Sequence, residues 1–132
     1  MVNELIIFAD SEALAVTWLT GKLGAGAEIS TKVPNPRPDK HVKVVAVGAR
    51  RTDLAYRESR LVFECWATTE TAASDLAALV DAHMNGAEAE TVNGSFIRKV
   101  SHVGGPVNSP DPESNTPRYL VTKAVTYRGS AL

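Results

Sequence analysis

Arg60-Leu61-Val62-Phe63-Glu64-Cys65-Trp66-Ala67-Thr68 decides the fold. Leu61, Phe63, Cys65 and Ala67 share one side of an extended chain, and Val62, Glu64 and Trp66 share the other. A period of two predicts a strand with a packed face. Directly after it, Thr69 or Thr71 starts a predicted helix with Ala72, Leu76, Leu79, Val80 and His83 as its apolar stripe and Gly86 as its stop. Asp75 and Asp81 on this helix are expected to face solvent or a partner.

Upstream, residues 10–23 predict another helix. Asp10 or Ser11 can cap it, and Glu12 sits in the first turn, where the macrodipole favours an acid. Ala15, Trp18, Leu19 and Leu23 form its stripe, and Gly24-Ala25-Gly26 ends it. Residues 28–33 read as extended. Pro34-Asn35-Pro36-Arg37-Pro38 reads as a stiff loop, because alternate prolines forbid helix and remove ladder donors. Residues 41–48, rich in valine, read as a buried strand. Ala49 to Glu58 reads as a polar connection, either a long hairpin loop or a flap that a partner orders.

Downstream, Phe96 to Val103 alternates as a strand. Gly104 to Pro117 reads as a fourteen-residue loop with four prolines, long enough to be functional or disordered. Arg118 to Arg128 reads as the last strand, with Tyr119, Val121, Val125 and Tyr127 on one face. Gly129 to Leu132 is expected to fray. The order α-β-β-β-α-β-β predicts an α+β fold: a single domain over residues 1–132, a mainly antiparallel or mixed sheet, and two helices packed on it.

The chain has 132 residues, 44% hydrophobic and 22% charged, with net charge −1. That length suits one domain with a real core. The near-zero charge argues against a dedicated nucleic-acid binder. One cysteine, Cys65, excludes an internal disulfide; it reads as a small buried hydrophobe made in a reducing cytoplasm. Leu5 to Ala9 is too short for a signal-peptide core, and no run approaches a membrane span. Asn93-Gly94-Ser95 reads as a turn.

Catalytic signals are missing. His41, His83 and His102 lie far apart, without acids or cysteine at metal-ligand spacing. There is no nucleophile elbow, phosphate loop or dinucleotide fingerprint. Asp111 and Glu113, flanking Pro112, form the one close acidic pair in a loop and read as solvated. The expectation is no catalytic residue, no metal and no cofactor: not an enzyme.

Charge, in contrast, is segregated. Lys32 to Arg60 holds eight Lys or Arg against three acids, and Glu64 to Glu90 holds six acids with no Lys or Arg. A domain with one basic and one acidic region can complement copies of itself head to tail, in rings or filaments. Contact with DNA phosphates is the other reading of the basic group, but no aromatic is interleaved to stack bases. The expected subunit interface sets Arg50, Arg51, Arg57 and Arg60 of one copy against Glu70, Asp75 or Asp81 of the next. Two loops are expected to meet partners above and below: Pro34, Pro36, Arg37 and Pro38 in one, and Pro106, Asn108, Pro110, Asp111, Pro112 and Arg118 in the other.

Several pieces, in order, carry a family resemblance. They are Asp10-Ser11-Glu12-Ala13-Leu14-Ala15-Val16-Thr17-Trp18-Leu19, Val33-Pro34-Asn35-Pro36-Arg37-Pro38, Arg60 to Ala67 running into an alanine-rich helix, Gly105-Pro106-Val107-Asn108 with Pro110-Asp111-Pro112, and Pro117-Arg118-Tyr119. Together they resemble the tail terminator, or tail-completion, proteins of long-tailed bacteriophages. The resemblance implies a hexameric ring, made in the host cytoplasm and placed in the virion at the tail–neck junction. It would sit on the last ring of the tail tube protein, end tube polymerisation and meet the head connector. DNA would pass through its lumen, with no membrane, catalysis or cofactor involved. A neighbouring head-to-tail neck component is the alternative within this class. A small α+β ligand-binding domain or enzyme without a recognisable motif is the alternative outside it.

Overall fold

The Leu61–Phe63–Cys65 alternation forms the centre of a strand with antiparallel partners on both sides. The computed structural model describes residues 5–132; residues 1–4 of the expected domain lie outside the described residues. The elements are β1 (Ile6–Ile7), α1 (Ser11–Leu23), a 3-10 turn (Gly24–Gly26), β2 (Glu28–Ser30), β3 (Lys40–Arg51), β4 (Tyr56–Ala67), α2 (Glu70–Asn85), β5 (Thr91–Val92), β6 (Ser95–Asn108), β7 (Arg118–Arg128) and β8 (Ser130–Ala131). The main sheet has the order β2-β3-β4-β7-β6-β5. It is mixed, since β2 runs parallel to β3 while the other neighbours are antiparallel. The domain is a single α+β unit with a curled sheet.

Register shows why the sheet has two unlike sides. Leu61, Phe63 and Cys65 lie opposite Ala46, Val44 and Val42 on β3 and opposite Lys123, Val121 and Tyr119 on β7. These residues form one side. Both helices pack there, and Leu14, Leu19, Leu76, Ala77, Val80 and Met84 complete the core. Ser11 Oγ meets Ser59 Oγ at 2.7 Å, which pins the start of α1 to β4. The Trp18 indole N–H donates to the His83 carbonyl at 2.7 Å and ties the helices together. Asp10 caps α1 by accepting from the Glu12 amide, and Thr69 caps α2 by accepting from the Ala72 amide.

Several expectations need correction. The 49–58 connection is a paired β-ribbon: Ala49, Arg50 and Arg51 lie opposite Ser59, Glu58 and Arg57, so only residues 52–55 turn. Asp53 makes that possible by accepting from the Ala55 and Tyr56 amides. The 104–117 loop is shorter than expected, because β6 continues to Asn108 opposite Tyr119. Pro106 is tolerated because the register shifts on either side of Gly104, leaving Pro106 out of the ladder. Gly105, at φ +82°, is required: a Cβ there would lie 2.2 Å from the Leu120 carbonyl oxygen. The tail is paired too. β8 lies against β1, and Gly129 packs beneath Ile6 and Phe8. On α2 the buried stripe is Ala73, Leu76, Ala77, Val80 and Met84, and Leu79 is 49% exposed. Small alanines let the helix sit close to the sheet along a line turned away from Leu79.

His41 is fully buried on β3. The Ser30 hydroxyl gives its proton to the Lys32 carbonyl. The 2.9 Å contact between Ser30 Oγ and His41 Nε2 is therefore donated by the imidazole, leaving Nδ1 bare and without a partner. Burial holds the imidazole below its ordinary pKa. Below about pH 6.5 the unfolded chain takes up a proton that the folded chain refuses, so stability falls with falling pH. We expect a slope of at most about 1.4 kcal/mol per pH unit from this group. Denaturant titrations of wild type and His41→Gln between pH 7.5 and 5 should diverge; parallel curves would show that His41 is not held neutral.

Candidate assembly surfaces

The side of the sheet without helices carries the opposite parity. Glu58, Arg60, Val62, Glu64 and Trp66 of β4 lie opposite Thr126, Ala124, Thr122, Leu120 and Arg118 of β7. Lys43 lies opposite Glu64, and Arg50 opposite Glu58. Arg50 pairs with Glu58 at 3.2 Å and Arg118 with Glu64 at 3.5 Å. Lys43, Arg60, Lys99 and Arg128 have no ion-pair partner among the described residues. This open side is therefore cationic around a centre of small and aliphatic residues.

The four expected interface arginines split between the two sides. Arg51 and Arg57 lie opposite each other on the helix side, with guanidiniums 5.3 Å and 4.6 Å from the Phe8 ring. Arg50 and Arg60 lie on the open side and line a cleft of about 250 Å³ with Val47, Gly48, Ala49 and Glu58. The register shift between Ala46 and Gly48 opens this cleft.

The acids of α2 split as well. Glu70 accepts from the Asn108 side chain at 2.7 Å. Asp75 is exposed and has no partner among the described residues. Asp81 turns inward: its carboxylate lies 2.5 Å from the ammonium of Lys123, a residue with 0% exposure. Asn85 Oδ1 and His102 Nδ1 each lie 2.9 Å from the same ammonium. Asn85 and His102 supply hydrogen-bond contacts to the ammonium, and the nearby Asp81 carboxylate supplies the counter-charge that its burial requires. Lys123 and His102 were not expected here. The available signal was the charge at the inward parity between Val121 and Val125, which needs an inward acid.

The structure brings the two proline-rich loops together at one end of the sheet. Arg37 donates to Thr116 Oγ1 at 2.7 Å, and the Arg37 and Arg118 guanidiniums lie 4.6 Å and 5.2 Å from the Trp66 ring. Arg118 also donates to the Ser109 carbonyl at 2.8 Å. Asp111 closes the second loop by accepting from the Ser114 hydroxyl and amide; the hydroxyl bond first, then the amide, holds its carboxyl below the usual range. Pro34 and Pro38 are half-buried, and Pro36, Pro106, Asn108, Pro110 and Pro112 are exposed around this end.

Burial pushes the Cys65 thiol far up, so it stays protonated and inert. Among the described residues no group of three His, Cys, Asp or Glu could hold a metal ion. Among the described residues no helix is long and apolar enough to cross a membrane. No protein-family model matches the chain, and no curated protein matches it.

Asp81→Ala leaves the Lys123 ammonium buried without a counter-charge and should cost about 3–5 kcal/mol. Adding Lys123→Met should recover most of that loss in denaturant unfolding. An Asp81→Ala protein as stable as wild type would place Asp81 outside the internal cluster.

Proposed function

We propose that this chain is a structural subunit of a phage virion, joining copies of itself head to tail into a ring that caps the tail tube. One observation carries the reading: unpaired cations lie on the helix-free side of the sheet, while the unpaired acid Asp75 lies on the helix side. A domain with unpaired cations on one side and an unpaired acid on the other can pair with itself heterologously, rather than across a two-fold axis. The resemblance of the residue blocks to tail terminators supplies the setting: the tube end, the hexameric ring and the head connector.

The loop cluster around Trp66 supports a second contact surface. Its prolines and its Arg37–Thr116 and Arg118–Ser109 bonds hold it in place before any partner arrives. Pre-ordered loops lose less entropy on docking. In the ring this end would meet either the tube protein or the connector. The reading gives the chain no catalysis and no cofactor.

Electron microscopy of tail tubes polymerised with and without this protein tests the proposal. Tubes of one length, each closed by a collar at one end, are expected when it is present. Tubes that keep growing and carry no collar would remove the terminator role.

A further inference from the structure

The charges of the ribbon and of α2 can be sorted by what already occupies them. Arg50 is bonded to Glu58, Arg51 and Arg57 cover Phe8, Glu70 holds Asn108, and Asp81 neutralises Lys123. Arg60 and Asp75 are exposed and have no intramolecular partner among the described residues. Each has an exposed aliphatic neighbour. Arg60 shares its cleft with Val47, which is 55% exposed, and Asp75 lies one helical turn before Leu79, which is 49% exposed. Ala78 and Ala82 beside them are exposed and short, so Asp75 and Leu79 stand proud of the helix. The cleft has room, since a Cβ at Gly48 would meet nothing within 4 Å.

Resting on the self-assembly reading above, we infer that the Val47–Arg60 cleft of one copy receives the Asp75–Leu79 turn of a second copy. The Asp75 carboxylate lies on the Arg60 guanidinium, whose planar fork suits a carboxylate, and Leu79 covers Val47. The cleft is on the open side of the sheet and the turn is on the helix side, so each copy uses both and the contact repeats. Val47 in the cleft disfavours a phosphate backbone, which offers no aliphatic group to cover it. A carboxylate followed by an aliphatic side chain one turn later fits Arg60 and Val47 together, and α2 presents that pair.

Charge reversal tests the contact. Sedimentation is compared for wild type, Arg60→Asp, Asp75→Arg and the double variant; all changed groups are exposed, so thermal midpoints should stay close to wild type. Each single reversal should weaken self-association severalfold, and the double variant should recover most of the loss. In parallel, Gly48→Cys combined with Leu79→Cys should give an oxidised ladder of covalent dimers, trimers and larger species, while either cysteine alone gives none. The ladder reports the contact even where free association is weak. Wild-type assembly unchanged by either reversal, with no ladder, overturns this contact while leaving ring formation standing. A wild type that stays monomeric and forms no collar on tubes, with no ladder from the double-cysteine variant, removes both. Loss of duplex-DNA binding on Arg60→Asp, with sedimentation unaltered, overturns the contact in favour of a phosphate ligand.

Discussion

Helices cover only one side of the sheet, and this asymmetry organises the rest of the molecule. Strands β4 and β7 alternate strictly, so one parity must be apolar and covered while the other meets solvent or another molecule. Leu61, Phe63, Val121 and Val125 take the covered parity beneath α1 and α2. Thr122, Ala124 and Thr126 take the other, small enough to be shielded by neighbouring side chains without a second helical layer. Arg50, Arg60, Lys43 and Arg128 fall on the open parity by position in the register. Part of the basic region, though not Arg51 and Arg57, thus falls on the side away from the helices.

Association through sheet edges is discouraged along the flanks of β3 and β6 that the short strands β2 and β5 leave uncovered. The Ala46 amide on the free flank of β3 donates to Glu12 at 2.7 Å, and the Val100 amide on β6 donates to Glu88 at 3.0 Å. Register shifts follow on both strands, and Pro106 lacks a donor. Capped amides, bulges and proline are the devices by which edge strands avoid pairing with other chains. What remains available is the broad side of the sheet and the outer line of α2. The buried Lys123 cluster has a part in this: it draws Asp81 inward and fixes the rotation of α2, and that rotation leaves Asp75 and Leu79 outward together.

Local rules made much of this fold legible. The caps Asp10 and Thr69, the stop at Gly86, the turn at Asn93-Gly94 and the strand Arg118–Arg128 all follow from residue chemistry over a few positions. Long-range pairing overrode local signals elsewhere. Residues 49–51 and 57–58 look like a loop, yet each finds a cross-strand partner in the ribbon. Ser130 and Ala131 look like a frayed tail, yet Ile6 and Ile7 supply a ladder for them. Leu79 satisfied the helical period, but the alanines chose which line of α2 lies against the sheet. Of the expected interface residues, the charge imbalance was readable, whereas the division of the four arginines between two sides needed the register.

The strength of the proposed contact bears on when a ring would form. An exposed ion pair contributes about 0.2–1 kcal/mol. Covering two partly exposed aliphatic side chains adds on the order of 1–3 kcal/mol. Both are small beside the cost of immobilising one subunit on another, at least about 4 kcal/mol. Two free copies would therefore part readily. Closing a head-to-tail chain changes the balance, because the last contact forms within an already joined assembly at high effective concentration. A tube end that holds several copies side by side supplies the same advantage from the first contact onward. A subunit with weak lateral contacts and a pre-ordered loop cluster for axial docking would thus collect on the tube tip and stay dispersed in solution, so that caps are not consumed away from the tubes they must close.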